Sequence, residues 1–525
     1  MTSTFPIAAD ESWERHEHQV LRVIGRLART PDREVLHWRG SWITAAGLGG
    51  LIRDAIAAGH AAGVGPGSTV GILTEPNHPA MLTVRYAAHF LGAAVVQLRS
   101  INPRADSEML PVREQVEIVR SADIGFLFVD AEHAPRAQEI SRSIPGRLKI
   151  LGVRDPGPDS GSETGETPAP APYAPERRAV VTFTSGSTGR PKPLLQSFRA
   201  WNRTVGVFPG RMVESEPATV LAVTPVSHTV GSMIDASLAE GGRVILHERF
   251  ETAAVLRAFT EHRVTDVYLA VPHLHLLVTH PDLPDTDLTG LRRVIYSGTP
   301  AAPRRIAEAV RVLGGSLIQL YGSTEAGGIT SLTPSDHLEP ELLPTVGRPF
   351  PWVELRVLEP GTGREVPRGG TGEVCVKSPT VMTGYLADPA LNEQVFGGGW
   401  LRTGDLGHWD RYGYLRLTGR VGHVIKSGGL KIHPGAVERA LLSHDDVVQA
   451  AVYGVADADR VESVHAAVVL RTGAAATPEA LRDHVAGQLG PVHAPARIAL
   501  WDELPLTTHG KPDKALLTAL ARREV

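Results

Sequence analysis

The chain has 525 residues, more than one hydrophobic core usually organises, so at least two domains are expected. Apolar residues make up 42% and charged residues 21%, the balance of an ordinary folded protein, which excludes a disordered or fibrous chain. The formal net charge of -4 offers no basic surplus for a phosphate backbone, so no nucleic-acid partner is expected.

The first residues carry neither a basic cluster nor an apolar run of signal-peptide length, and no later segment offers the ~20 uncharged apolar residues of a membrane span. A cytoplasmic protein is expected. Cys375 is the single cysteine, which excludes an internal disulfide and reads as a small buried apolar residue.

Along the chain, helical spacing covers residues 20–28 and 79–91, and short apolar runs at 68–73, 93–98 and 124–129 read as buried strands. That alternation predicts an α/β sheet with covering helices. Between 155 and 178 the composition turns to Gly, Pro, Ser, Thr and Glu with almost no bulky apolar residue, which predicts a surface loop. A strand at 179–184 then runs straight into a glycine-rich turn, and further strands are expected at 220–223, 244–246, 294–297 and 317–320. After Gly419 a helix at 434–442, strands at 447–453 and 463–470, a helix at 478–489 and a strand at 497–500 complete an α+β unit of roughly 100 residues.

The turn is Thr184-Ser185-Gly186-Ser187-Thr188-Gly189-Arg190-Pro191-Lys192. Small and hydroxyl residues after a strand leave backbone N–H groups free to surround phosphate oxygens, and Lys192 adds a positive charge, so a polyphosphate is the natural ligand. It is not a Walker loop: Pro191 stands where the glycine before the lysine belongs, and Pro193 where the metal-binding hydroxyl belongs. His273, His275 and His280 lack the partners and register of a zinc site and are read as structural.

Further motifs follow in order: Tyr321-Gly322-Ser323-Thr324-Glu325, Thr403-Gly404-Asp405, Gly419-Arg420 and Gly510-Lys511. With the loop they resemble, over nearly the whole chain, the adenylate-forming superfamily of acyl-CoA synthetases, standalone peptide-synthetase adenylation domains and luciferases, and within it acyl-CoA ligases of the actinobacterial type. The resemblance implies a large multi-sheet α/β ATP- and acid-binding domain at 1–418, a hinge at 419–422 and a small mobile α+β lid domain at 423–525. It also implies ATP, Mg²⁺ and coenzyme A as cofactors or cosubstrates.

Each matched position has a chemical reason. Thr324 can bind a phosphate oxygen, and Glu325 can hold a hard cation, the Mg²⁺ near the α-phosphate. Asp405 can accept both ribose hydroxyls, with Arg420 reinforcing the grip. Ser297-Gly298-Thr299-Pro300 resembles the segment along adenine, with Tyr321 stacked on the purine. In this family the lysine matching Lys511 swings in to bridge the substrate carboxylate and the α-phosphate, and Lys192 with magnesium stabilises the departing pyrophosphate.

His228 stands near the place where amino-acid adenylation domains carry an aspartate, so a free α-amino acid is not the expected substrate. Gly231, Ser232, Met233, Gly327, Gly328 and Ile329 suggest a roomy apolar pocket for a bulky hydrophobic carboxylic acid. Lys426-Ser427-Gly428-Gly429-Leu430-Lys431 resembles the pantetheine-tunnel loop of CoA ligases. Coenzyme A is therefore the first acceptor and a carrier-protein phosphopantetheine arm the second, a homodimer being the assembly allowed for. A nucleotide-binding regulatory protein without turnover is the competing class. Two departures from the family pattern stand out: Pro193 where glycine usually follows the loop lysine, and Gly422 where Asp or Lys usually stands two residues after the ribose-binding arginine. Both bear on conformational behaviour and predict a weakened adenylation half-reaction.

Overall fold

The computed structural model describes residues 18–98, 110–156, 167–185, 191–207, 216–299, 301–422, 425–427, 430–457, 462–471, 473–506 and 512–522. Two large sheets face each other across a shared layer of helices. A seven-stranded sheet runs in the order Gly384–Tyr385, Pro191–Ser197, Arg178–Ser185, Ala94–Gln97, Thr69–Leu73, Phe126–Val129, Lys149–Gly152. Its last five strands are parallel, as βαβ crossovers dictate, and the first two are antiparallel additions. The second sheet has nine strands, with Arg293–Ser297 and Leu317–Ser323 side by side and parallel.

Between them pack the helices Gln19–Arg29, Ala45–Ala62, Ala80–Phe90 and Thr229–Ala239, whose apolar side chains merge with Val70 and Val95 of one sheet and Val220 and Val244 of the other into a single core. Ala80–Phe90 is buried at every residue, so it shows no polar face. A third sheet holds Glu354–Leu358, Gly372–Lys377, Phe396–Gly397 and Trp400–Trp409, to which Leu415–Arg420 pairs. Cys375 lies buried in it, its thiol pushed up to about 11 by burial.

The carboxy-terminal unit combines the ribbon Ile425–Ser427 and Leu430–Ile432, the three-stranded sheet Val447–Ala456, Glu462–Leu470 and Arg497–Trp501, and the helices Pro434–Leu442, Pro478–Leu489 and Lys514–Ala521. Among the described residues no helix is long and apolar enough to cross a membrane. The architecture is thus mixed α/β, a large amino-terminal domain followed by a smaller one.

Candidate active site

Strand ends and short loops of all three large sheets bring the candidate residues into position. The strand Arg178–Ser185 leads into the glycine-rich turn, and the chain comes back as the antiparallel strand Pro191–Ser197, with Lys192 opposite Thr184 and Pro191 opposite Ser185. A Walker loop enters a helix, whereas this turn joins two strands. Gly186, Ser187, Thr188 and Gly189 lie outside the described residues, as do Gly428, Gly429 and Lys511.

Asp405 sits in Trp400–Trp409 directly opposite Arg420. Arg420 Nε lies 2.8 Å from Asp405 Oδ1, and the Tyr321 hydroxyl donates to Oδ2 at 2.7 Å. The Asp405 amide donates to Thr403 Oγ1 at 3.1 Å, and that hydroxyl donates to the Val374 carbonyl at 2.8 Å. Burial and the neighbouring carboxylate push the Tyr321 phenol well above its ordinary value, so it remains a donor at neutral pH. The arginine is half exposed and the ion pair adds little stability. What the arrangement provides is a carboxylate held in one orientation, each oxygen keeping acceptor capacity. Tyr321 itself is buried among Ile329, Val353 and Val374.

Glu325 follows the strand Leu317–Ser323. The Tyr385 hydroxyl donates to its Oε1 at 2.8 Å, and its carbonyl accepts from the Met382 amide at 2.7 Å. Tyr385 pairs with Leu194 on the strand that carries Lys192, and the Leu386 amide donates to the Pro193 carbonyl at 2.8 Å. One short strand therefore ties Glu325 to the return strand of the loop. Tyr385 and its neighbour Leu386 lie outside the motifs quoted above. Replacing Tyr385 by phenylalanine is expected to raise the Mg²⁺ concentration needed for half-maximal pyrophosphate release about tenfold or more, since a hydrogen bond to a charged group is lost. An unchanged magnesium titration would separate Tyr385 from any role at Glu325.

Ser297 closes the strand Arg293–Ser297, its hydroxyl 2.6 Å from that of Tyr268, and Gly298 and Thr299 continue at the rim, with Pro300 outside the described residues. Ser323 Oγ accepts from the Ala326 amide at 3.1 Å, fixing the turn that holds Thr324. Gly322, Gly327 and Gly328 lie in the antiparallel pair that follows, and Ile329 is buried beneath it.

His228 precedes the helix Thr229–Ala239 and lines a cleft together with Gln97, Thr182, Phe183 and Trp201. The turn before it is pinned by Asn77, which accepts from the Val226 amide at 2.8 Å and donates to the carbonyls of Thr224 at 3.1 Å and His247 at 2.8 Å. Gly231 has a steric reason: a Cβ there would stand 2.0 Å from the Val226 carbonyl oxygen, so only glycine lets the helix close onto this turn. Ser232 spends its hydroxyl on the Thr229 carbonyl at 2.8 Å, and Met233 packs in the core between the sheets. Apart from Val226, Ser227 and His228, the described walls of the cleft come from other elements, and Gly231, Ser232 and Met233 are not among them.

In the carboxy-terminal unit Lys426 and Lys431 oppose each other across the ribbon, Ser427 faces Leu430, and the Lys426 amide donates to Glu462 Oε2 at 2.8 Å. Leu506 and Pro512, on either side of the segment holding Lys511, form a bridge. The histidines fall elsewhere: His273 stacks on Phe250 with ring centres 4.2 Å apart, and burial lowers both His273 and His275 to about 4, leaving neutral packed rings.

The chain and its fold are similar to known proteins. The family of AMP-binding enzymes matches residues 25–386, and its carboxy-terminal domain matches 436–511. A medium/long-chain-fatty-acid–CoA ligase, FadD8 of Mycobacterium tuberculosis, is 31% identical over 95% of this chain and 89% of its own. The solved amide bond synthetase McbA of Marinactinospora thermotolerans is 36% identical over 96% of this chain and 99% of its own, with a TM-score of 0.84. The o-succinylbenzoate CoA synthetase of Bacillus subtilis, solved with its acyl-adenylate intermediate, is 27% identical over 94% and 97% of the two chains, with a TM-score of 0.79. The chain belongs to the AMP-binding, adenylate-forming enzyme family, and among its relatives are acyl-CoA ligases.

Proposed function

We propose that this enzyme uses MgATP to convert a hydrophobic carboxylic acid into its acyl adenylate and then passes the acyl group to a nucleophile, the thiol of coenzyme A first. The observation that carries the adenylating half is the Asp405 carboxylate, held from two sides by Tyr321 and Arg420. A fixed acceptor of this kind suits a ribose diol. Glu325 fits a magnesium ligand, because Tyr385 orients it through Oε1 and leaves Oε2 for a hard cation. When bound, magnesium supplies charge neutralisation at the phosphates.

The remaining work falls to this chain's own groups. The loop Thr184 to Gly189 cradles the phosphates, Ser297, Gly298 and Thr299 lie along adenine, and Lys192 faces the departing pyrophosphate. A substrate carboxylate oxygen attacks the α-phosphorus, the bond to pyrophosphate breaks, and Lys511 meets the charge that builds up between them. No covalent bond to the protein forms. The unit carrying Lys511 and the Lys426 to Lys431 ribbon acts as a lid about residues 419–422, the ribbon lining the way for the thiol.

A second reading has an amine as the acceptor. It is favoured by the 36% identity with an amide bond synthetase along nearly the full length of both chains. A carrier-protein arm is the third acceptor. The test is ATP-dependent hydroxylamine trapping over a panel of aliphatic, aryl and polycyclic acids, repeated with coenzyme A and with simple amines. Hydroxamate formation is expected with at least one aromatic acid, and thioester or amide yield then names the acceptor. A chain that binds ATP yet yields no hydroxamate with any acid would be a nucleotide-binding regulator.

A further inference from the structure

The turn that carries Glu325 is gripped from behind by a segment far along the chain. Ser378 to Tyr385 continues from the strand Gly372–Lys377. The Met382 amide of this segment donates to the Glu325 carbonyl at 2.7 Å, and its Thr383 amide donates to the Leu195 carbonyl at 2.8 Å, on the strand that also carries Lys192. Thr380 is 1% exposed, and its hydroxyl donates to the Ala326 carbonyl at 2.8 Å. Ser378 Oγ lies 2.8 Å from Thr380 Oγ1 and accepts from the Thr380 amide at 3.3 Å, which fixes the threonine in turn.

Packing covers only one side of this segment. On the other, Ser378, Pro379 and Val381 line a cleft of about 400 Å³ together with Trp352 and Phe396. The grip on the Glu325 turn therefore depends on its polar bonds.

Ala326 is fully buried, with its amide taken by Ser323 Oγ at 3.1 Å and its carbonyl by Thr380. The next residue, Gly327, is left-handed at φ +72° and lies against Thr380, so that a Cβ there would stand 2.6 Å from Thr380 Oγ1. A peptide followed by glycine rotates at little steric cost, because glycine accepts either sign of φ. Without the Thr380 hydroxyl the Ala326 carbonyl is a buried acceptor lacking its partner, and rotation of that peptide is the available relief. The rotation displaces the backbone next to Glu325, and with it the carboxylate that Tyr385 holds.

We infer that Thr380 is a positioning residue for the cation site: its hydroxyl locks the peptide between Ala326 and Gly327 and so keeps the Glu325 carboxylate in place for a magnesium ion on ATP. The inference deepens the adenylation reading and rests on it for the cation.

The experiment measures ATP binding by calorimetry on the full chain, with and without Mg²⁺, for the wild type, Thr380→Val, Thr380→Ser and Glu325→Gln. Amide hydrogen exchange over residues 323–328 is followed in the same proteins without ligand. The wild type is expected to bind ATP more tightly when magnesium is present. Thr380→Val keeps the shape without the hydroxyl and should lose about five- to tenfold of that magnesium-dependent gain, with faster exchange over 323–328. Its binding of ATP without magnesium should stay within about twofold of wild type. Thr380→Ser keeps a hydroxyl and should restore both the gain and the slow exchange. A full magnesium gain in Thr380→Val overturns the inference, as does unchanged exchange or a serine variant that behaves like the valine one. An equal loss of ATP affinity with and without magnesium, accompanied by a large drop in melting temperature, would show a purely structural role and overturn it too. Glu325→Gln keeps the two readings apart. If it loses the gain while Thr380→Val retains it, the role of Thr380 alone fails. If Glu325→Gln retains the gain, or the wild type shows none, the magnesium reading of Glu325 fails and the role of Thr380 with it.

Discussion

Replacing Lys511 by alanine is expected to lower acyl-adenylate formation from acid and ATP by about 100- to 1000-fold while leaving acyl transfer from a supplied adenylate within about threefold of wild type. The charge matters only while the carboxylate attacks the α-phosphorus, when negative charge accumulates between two groups that repel each other in the ground state. Once the adenylate exists, the leaving group is AMP, and the residues around Asp405 proposed to hold it are untouched by the substitution. Ground-state affinity for ATP should likewise change little. The check is a pair of assays on the same preparation, pyrophosphate release from acid plus ATP, and thioester or amide formation from synthetic acyl adenylate. If the variant lost transfer as severely as adenylation, Lys511 would be serving the whole lid rather than one chemical step.

How much of this could be read before the fold was known depended on whether the signal was local. The helices Pro434–Leu442 and Pro478–Leu489 were legible to the residue, because each begins with proline at its first turn and keeps an apolar stripe. The strand expected at 179–184 extends by one residue at each end, to Arg178–Ser185. The helix Ala45–Ala62 was missed: it is rich in Gly and Ala, and half its residues are buried, so it lacks a clear polar stripe. Its ends did carry signals, Thr44 accepting from the Gly47 amide and Gly63 in a left-handed conformation at φ +96°. Strand Leu317–Ser323 runs three residues past its apolar stretch because Gly322 and Ser323 pair with Gly328 and Gly327 across the hairpin.

The same division runs through the site. Asp405, Arg420, Tyr321 and Glu325 stand in short motifs and were named from them, yet the hydrogen bond from Tyr321 to Asp405 spans 84 positions and no local pattern announces it. Tyr385 reaches Glu325 across 60 positions, and Arg85 reaches Asp235 across 150. Such partners come from topology: parallel crossovers place distant helices side by side, and only the folded chain shows which side chains then meet. Arg85 did leave one trace, a charged residue in an otherwise apolar helix, which marks a buried partner.

The second large effect is expected at Gly422. It stands just past the last paired residue of Leu415–Arg420, at φ +81°, and a Cβ added there would meet nothing within 4 Å. Space is therefore not the constraint; backbone conformation is. In this pose the hinge is held by the Val421 amide donating to the Gly404 carbonyl at 2.7 Å, and the small unit by Arg439 donating to the Thr418 carbonyl at 3.2 Å and by the pair Arg304 with Asp445. Proline fixes φ near −65°, so Gly422→Pro cannot adopt the pose without strain of at least about 1–3 kcal/mol, a factor of roughly 5 to 150 in its population. The core clusters of the two units lie elsewhere, and the melting temperature should move by only a few degrees. If the lid alternates between an adenylating and a transferring pose about this residue, one half-reaction should fall by roughly that factor while the other is spared or gains. With Pro193 in the return strand as well, adenylation is the half-reaction expected to be slower in the wild type. Gly422→Asp, which restores a residue common in the family and tolerates positive φ better than proline, should fall between the two. The measurement is the ratio of the two half-reaction rates in wild type and both variants, with thermal melting alongside. A proline variant in which both rates stay at the wild-type level would remove Gly422 from the hinge, and one in which both fall equally with a large loss of melting temperature would show a folding defect in place of a switching one.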